Sequence, residues 1–319
     1  MLIFLWFIAL LAGVAAIVWG AELFSENLSA ASARLGVTSF ALALLLAGAE
    51  PEELATVVAA SLRGSPGIAL GDVIGTNVAI CLVALGVGAV IRTLPFGLKV
   101  MRYAALGLPL GMISVWVAWD GSVSRAEGAI LVFLYVAYVA VIWMFEKQPP
   151  SLGEVGTIEE ARKQAGTLKG KVGRELALVL TGIVAMSGGA TLLVEAVRRI
   201  SNVEAAQTKL GLTVVGFATS FELVVLAWSA SRRGASEVVI AGVVGSFAYN
   251  ATMTLGAGAL VRPLILQDAS RLHVPMVLMM SALVLVILFA SVRRELSRTA
   301  GTLLLIGYAG FVIVVVLSR

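Results

Sequence analysis

Two glutamates, Glu52 and Glu222, lie inside long apolar stretches of the chain. A charged side chain at such a depth costs roughly 3 kcal/mol or more, so its presence points to function. Pro51 precedes Glu52 and removes a helical hydrogen bond, while Thr219 and Ser220 bring hydroxyls just before Glu222. Carboxylates, hydroxyls and freed carbonyls together make a hard oxygen site, suited to Ca2+, Na+ or H+ rather than to softer metals. Two carboxylates balance one Ca2+ or two Na+, or take up protons, which makes Glu52 and Glu222 the expected metal ligands. Glu50 and Glu53 extend the acidic run around Pro51. At about 100° per residue, a continuous helix points Glu50 and Glu52 to nearly opposite sides, so the three are not expected to face one ion. Asp72 either lines the mouth of a pathway or is a solvated carboxylate favoured at a helix start. Asn250, four residues after Ser246, falls on the same helix face and reads as an ion ligand or an interhelical hydrogen bond.

The elements that hold these residues must be membrane spans. Of 319 residues, 60% are hydrophobic and 13% charged, with mean hydropathy +1.00, against roughly 25% charged in a soluble domain. A water-soluble fold is thereby excluded. Apolar runs of bilayer-crossing length predict spans near 2–24, 37–62, 68–91, 101–119, 127–145, 175–197, 211–231, 237–261, 272–292 and 299–317. The first of these reads as a span, not a cleaved signal peptide, because it lacks a basic n-region and carries Glu22. If the polar segment after the fifth span is cytoplasmic, 15 of the 23 basic residues lie inside, which puts both termini outside. The net charge of +4 is spread in short clusters between spans, a pattern that orients a membrane protein and gives no reason to expect nucleic acid.

An internal repeat organises the spans. Glu52 and Glu222, Arg63 and Arg233, Gly75 and Gly245, and Thr76 and Ser246 are all 170 residues apart. Five crossings, an odd number, separate the third and eighth spans, so the two copies enter the membrane from opposite sides. The fold class expected is an all-α polytopic membrane protein of about ten transmembrane helices in two inverted five-helix repeats. Such repeats place a transport site at their interface near the midplane. The repeats are assigned to 1–146 and 175–319, with 147–174 as a cytoplasmic linker.

Other chemistries find no support in the residues. Cys81, the one cysteine, lies in an apolar span, and His273, the one histidine, falls near the outer end of the ninth, so no Ser-His-Asp or His-based metal set can be built. The glycines of the third and eighth spans follow no strand, so close helix packing explains them better than a nucleotide loop. An enzyme is not expected, and neither is a cofactor.

On these residues the chain resembles the calcium/cation antiporter superfamily, which includes the sodium/calcium exchangers. That family has ten spans, inverted five-helix halves and two alpha repeats, here about 37–91 and 211–261. Each repeat carries a G-T-S-x-P-E stretch and a G-N-x-[IV]-G-S-N-x-x-[ND] stretch. The first is occupied by residues 47–52 in one copy and, one residue short, by Ala218-Thr219-Ser220-Phe221-Glu222 in the other. The second is occupied by Gly71 to Ile80 and by Ala241 to Asn250. The resemblance implies that Glu52, Glu222, Thr219, Ser220, Thr76, Ser246 and Asn250 bind the cation. Gly48, Ala49 and Ile80 stand where the family has ligands, and Glu50, with Asp72 and Asn77, is the candidate for compensating or lining the pathway.

The function these readings imply is secondary active antiport, Ca2+ exchanged for Na+ or H+ by alternating access. A proton needs only a carboxylate, so the impoverished first copy brings proton coupling level with sodium coupling. Two alternatives stand beside it: a proton-coupled carrier of another cation on the same fold, and a non-transporting membrane scaffold or sensor with a degenerate ion site. The partners expected are the lipid bilayer and inorganic cations, with homo-oligomer formation left open, and the location expected is a prokaryotic cell membrane.

Overall fold

The computed structural model describes residues 2–35, 50–146, 172–233 and 236–318. In chain order the helices are α1 (Leu2–Leu35), α2 (Pro51–Leu62), α3 (66–91), α4 (Leu98–Ala118), α5 (Arg125–Glu146), α6 (Val172–Ile200), α7 (204–219), α8 (Phe221–Arg233), α9 (236–261), α10 (Ser270–Arg293) and α11 (Arg298–Leu317). Among the described residues, eight helical stretches are long and apolar enough to cross a bilayer, α7 and α8 together making one of them. With α2 and α9 they make an all-α polytopic membrane protein of ten spans in two inverted five-helix repeats. The N-terminal part of the second span, with Gly48 and Ala49, and most of the polar linker lie outside the described residues.

Helix ends differ from the hydropathy reading. α1 continues to Leu35 instead of stopping near 24, and α6 starts at Val172, inside the segment assigned to the linker, and runs to Ile200. Hydropathy marks only the part of a helix that meets hydrocarbon, whereas Ala, Glu and Arg sustain the helix beyond it.

The repeat is visible in backbone detail. α3 and α9 each contain a π-helical turn, Ile80–Ala84 and Asn250–Thr254, again 170 residues apart. After each helix the chain turns extended at Arg92 and Arg262 and enters a two-residue strand, β1 (Leu94–Pro95) or β3 (Leu264–Ile265). The strands pair across the halves: β1 with β4 (Glu295–Leu296), and β2 (Ser122–Val123) with β3, both antiparallel. Arginines repeat the exchange. Arg125 of the first half donates to the carbonyls of Leu260 and Val261, and Arg298 of the second donates to that of Ile91. Each therefore satisfies carbonyls that a helix C-terminus leaves without an intrahelical partner.

Beside this frame, α1 and α6 lie against one another in antiparallel fashion, Gly13 meeting Gly189 and Gly20 meeting Gly182. A Cβ built on Gly20 would come 2.8 Å from the Gly182 carbonyl oxygen, so backbones touch here as small residues allow in a membrane.

Exchanging Arg125 for Ala removes a charged donor from two carbonyls at the end of α9. The variant should lose about 1.5–3 kcal/mol of stability. Unfolding midpoints in detergent would register this, and a midpoint equal to that of the wild type would show the cap to be dispensable.

Candidate functional site

Four segments meet in the interior: the start of α2, the middle of α3, the end of α7 and the π-turn region of α9. Pro51 occupies the first helical position of α2, where its missing N–H costs nothing, and Glu50 caps the helix with non-helical dihedrals. The Glu50 carbonyl accepts the N–H groups of Glu53 at 3.1 Å and Leu54 at 3.2 Å. This corrects the helical-wheel expectation for the acidic run. Glu50 is outside the helix, so the 100° rule does not govern it, and its carboxylate turns to accept from Asn250 Nδ2 at 3.2 Å. Glu53, three residues on, faces the same way as Glu50, and both act electrostatically on each other and on Asp72.

Asp72, Thr76 and Thr219 form a second group. Thr219 Oγ1 donates to Asp72 Oδ1 at 3.1 Å, and the Thr76 and Thr219 hydroxyl oxygens are 3.0 Å apart. Each hydroxyl has one proton, so donation from Thr76 to Thr219 and from Thr219 to Asp72 uses each once. The Gly216 carbonyl oxygen is 3.1 Å from Thr76 Oγ1. Backbones must come very close for this contact: a Cβ on Gly216 would sit 2.6 Å from Thr76 N, and one on Gly75 would overlap the Leu212 backbone.

The other expected residues are placed as follows. Asn250 accepts from Thr254 at 3.2 Å while donating to Glu50, so it joins the carboxylates to α9. Ser246, fully buried, faces the Glu50 carboxyl. Ser220 sits between α7 and α8 and donates to the Phe217 carbonyl at 3.1 Å. Asn77 donates to the Met279 sulfur at 3.7 Å, leaving its carbonyl oxygen buried without a hydrogen-bond partner. Glu52, 4% exposed, lies with Glu50 and Glu53 in the electrostatic surroundings of the Tyr249 hydroxyl. Glu222 opens α8 and is half-buried. His273 lies apart from the site, stacked on Trp119 at 4.2 Å with its Nε2 2.9 Å from the Trp119 carbonyl oxygen.

Glu53 and Thr254 were absent from the ligand set drawn from the sequence. The N-cap to N3 spacing of Glu50 and Glu53 around a proline is the signal that identifies the first.

The arrangement is rich in oxygen and poor in cations. The Glu50 and Glu53 carboxyls face one another, with the Ser246 hydroxyl beside them, and Asp72 Oδ2 is buried without a hydrogen-bond partner. Among the described residues, no Lys or Arg forms an ion pair with Glu50, Glu53 or Asp72. No three Asp, Glu, His or Cys residues among those described converge tightly enough to hold a metal by themselves. Hydroxyl, amide and carbonyl oxygens must therefore complete any coordination shell here, as hard cations accept.

Comparison with known proteins agrees with this architecture. Inner membrane protein YrbG of Escherichia coli is 27% identical over 220 residues, covering 68% of this chain and 67% of that protein. Sodium/calcium exchanger MaX1 of Methanosarcina acetivorans is 25% identical, with 97% of each chain covered. A solved structure of the sodium-calcium exchanger NCX_Mj shares the fold, with TM-score 0.63, 22% identity and 99% of both chains covered. The family model described as sodium/calcium exchanger protein matches both halves, residues 5–144 and 175–317, and this chain belongs to that family.

Proposed function

We propose that the protein is a secondary cation antiporter that exchanges Ca2+ for Na+ or H+ across the membrane. The observation that carries this reading is the buried group of Glu50, Glu53 and Asp72, joined by the Thr76 and Thr219 hydroxyls and the Asn250 amide and paired with no base among the described residues. Buried carboxylates without a counter-charge are strongly unfavourable, so cations or protons must balance them. A site that either ion set can neutralise, but not both at once, is a site at which the two exchange. The sequence-derived ligands Glu52, Glu222, Ser220 and Ser246 belong to the proposed pathway around this centre.

The halves proposed to move are 1–146 and 175–319, which meet at the site through α3 and α7. Alternating access then opens the centre to one side at a time, as inverted-repeat transporters do. The setting proposed is a prokaryotic cell membrane with both termini outside, following the distribution of basic residues.

The test is radiolabelled Ca2+ uptake into proteoliposomes with an outward Na+ gradient at equal pH, or an outward H+ gradient without Na+. Uptake at least tenfold above protein-free liposomes is expected with one gradient or both. Absence of gradient-driven Ca2+ uptake would remove the exchange reading. Absence, in addition, of any ion-dependent thermal shift would favour a non-transporting scaffold.

A further inference from the structure

At the membrane face where α3 ends, a cleft of about 360 Å³ is lined by Ile91, Arg92, Ser231, Arg232 and Arg298. Arginines at the ends of three helices line it, and the Arg232 guanidinium lies over the Trp228 ring at 5.0 Å. Helix capping accounts for only one of them, Arg298, which donates to the Ile91 carbonyl. Among the described residues, none of the three forms an ion pair; Glu295, the carboxylate on the neighbouring β4, does not reach them. Ser231 gives independent evidence. It is 1% exposed and lines the cleft, yet its hydroxyl has no hydrogen-bond partner.

The repeat supplies an internal comparison on the opposite face. Ser61, 170 residues before Ser231, donates to its own helix at the Val57 carbonyl, at 2.8 Å. Leu62 stands where the second copy has Arg232, and Arg262, the equivalent of Arg92, donates to the Leu62 carbonyl at 3.4 Å. That end is internally satisfied. The end with Arg92, Arg232 and Arg298 keeps three positive charges without a carboxylate partner among the described residues, and a buried hydroxyl without a hydrogen-bond partner.

We propose that this cleft binds the phosphate of an anionic lipid headgroup. Guanidinium groups present paired donors that match phosphate oxygens, and the Ser231 hydroxyl adds one more. Basic pockets between spans at the membrane surface hold such headgroups, and Trp228 and Ile91 set the rim at the depth where tryptophan favours the interface. A free phosphate ion would satisfy the same donors but gains nothing from that apolar rim.

The experiment uses the purified full chain in neutral detergent, with phosphatidylglycerol, cardiolipin, phosphatidylcholine and inorganic phosphate as separate probes. Retention is read by native mass spectrometry. The wild type is expected to retain phosphatidylglycerol or cardiolipin at least tenfold over phosphatidylcholine. Arg92→Gln combined with Arg232→Gln should lose that preference, while Arg262→Gln, on the opposite face, keeps it. Should the double variant not be recovered folded, Ser231→Ala, which removes the hydroxyl donor, must lower retention in the same way. Equal retention of anionic lipid by wild type and these cleft variants would overturn the proposal. Retention of inorganic phosphate without a preference for anionic over neutral lipid would overturn the lipid assignment in favour of a free-phosphate site.

Discussion

Glu53→Gln and Asp72→Asn are each expected to cut cation flux roughly thirtyfold while making the ion-free protein more stable. Both carboxylates are about 1% exposed beside Glu50, and neither forms an ion pair among the described residues. Removing one negative charge from such a group relieves repulsion and desolvation, which should raise stability by about 1–3 kcal/mol. The same change removes the charge that attracts a cation. Loss of a charged ligand contact of about 2 kcal/mol corresponds to a flux reduction of roughly thirtyfold at limiting ion concentration. Thermal unfolding in ion-free buffer and Ca2+ uptake in proteoliposomes, run on the same preparations, should move in opposite directions. Ca2+ should also cease to stabilise the variants. Unchanged flux in both would exclude Glu53 and Asp72 from the mechanism. Glu52→Gln and Glu222→Gln put the same question to the two carboxylates expected from the sequence.

The second large effect is steric. Gly216→Ala would place a methyl group 2.6 Å from Thr76 N and 2.7 Å from the Gly75 carbonyl carbon, both rigid backbone atoms. α3 and α7 must then separate, which should cost about 1–3 kcal/mol and pull Thr76 from Thr219. Uptake should fall by more than tenfold even though no ligand atom is removed. Gly107→Ala is the matched control, since its added carbon meets nothing nearer than Ala248 Cβ at 3.9 Å. Equal behaviour of the two alanine variants would show that the α3–α7 approach does not set the site.

Much of the architecture could be read from the chain because hydropathy and helix length report directly on the bilayer. The offset linking Gly75 to Gly245 and Arg63 to Arg233 recurs in the π turns and in the strands at Leu94 and Leu264. The two-residue strands and the π turns themselves left no such mark. A ladder of two residues has no periodicity, and a π turn differs from an α-helix by one extra residue that no side-chain pattern reports. At the site, Glu52 was singled out because it lies beside a proline in an apolar stretch, and Thr76, Asn250 and Thr219 followed from repeat position and motif. Glu50 is legible only as a compensating residue, and Glu53 not at all, because the wheel argument assumes a helix continuous through Pro51. Where a helix begins at a proline, its cap and third residue point together, and their separation matters more than the rotation per residue.

The exchange of strands and arginine caps between the halves also bears on biogenesis. Arg298 is 207 residues beyond the Ile91 carbonyl it satisfies. At synthesis rates of about 5–20 residues per second, that carbonyl and β1 wait roughly 10–40 seconds for the segment that completes them. The first half therefore enters the bilayer with a frayed helix end and two unpaired strands, which only the second half can close. Although the two halves are repeats of one design, neither is a finished folding unit, and the newly made N-terminal half is the stage at which the chain is most open to mispairing or proteolysis.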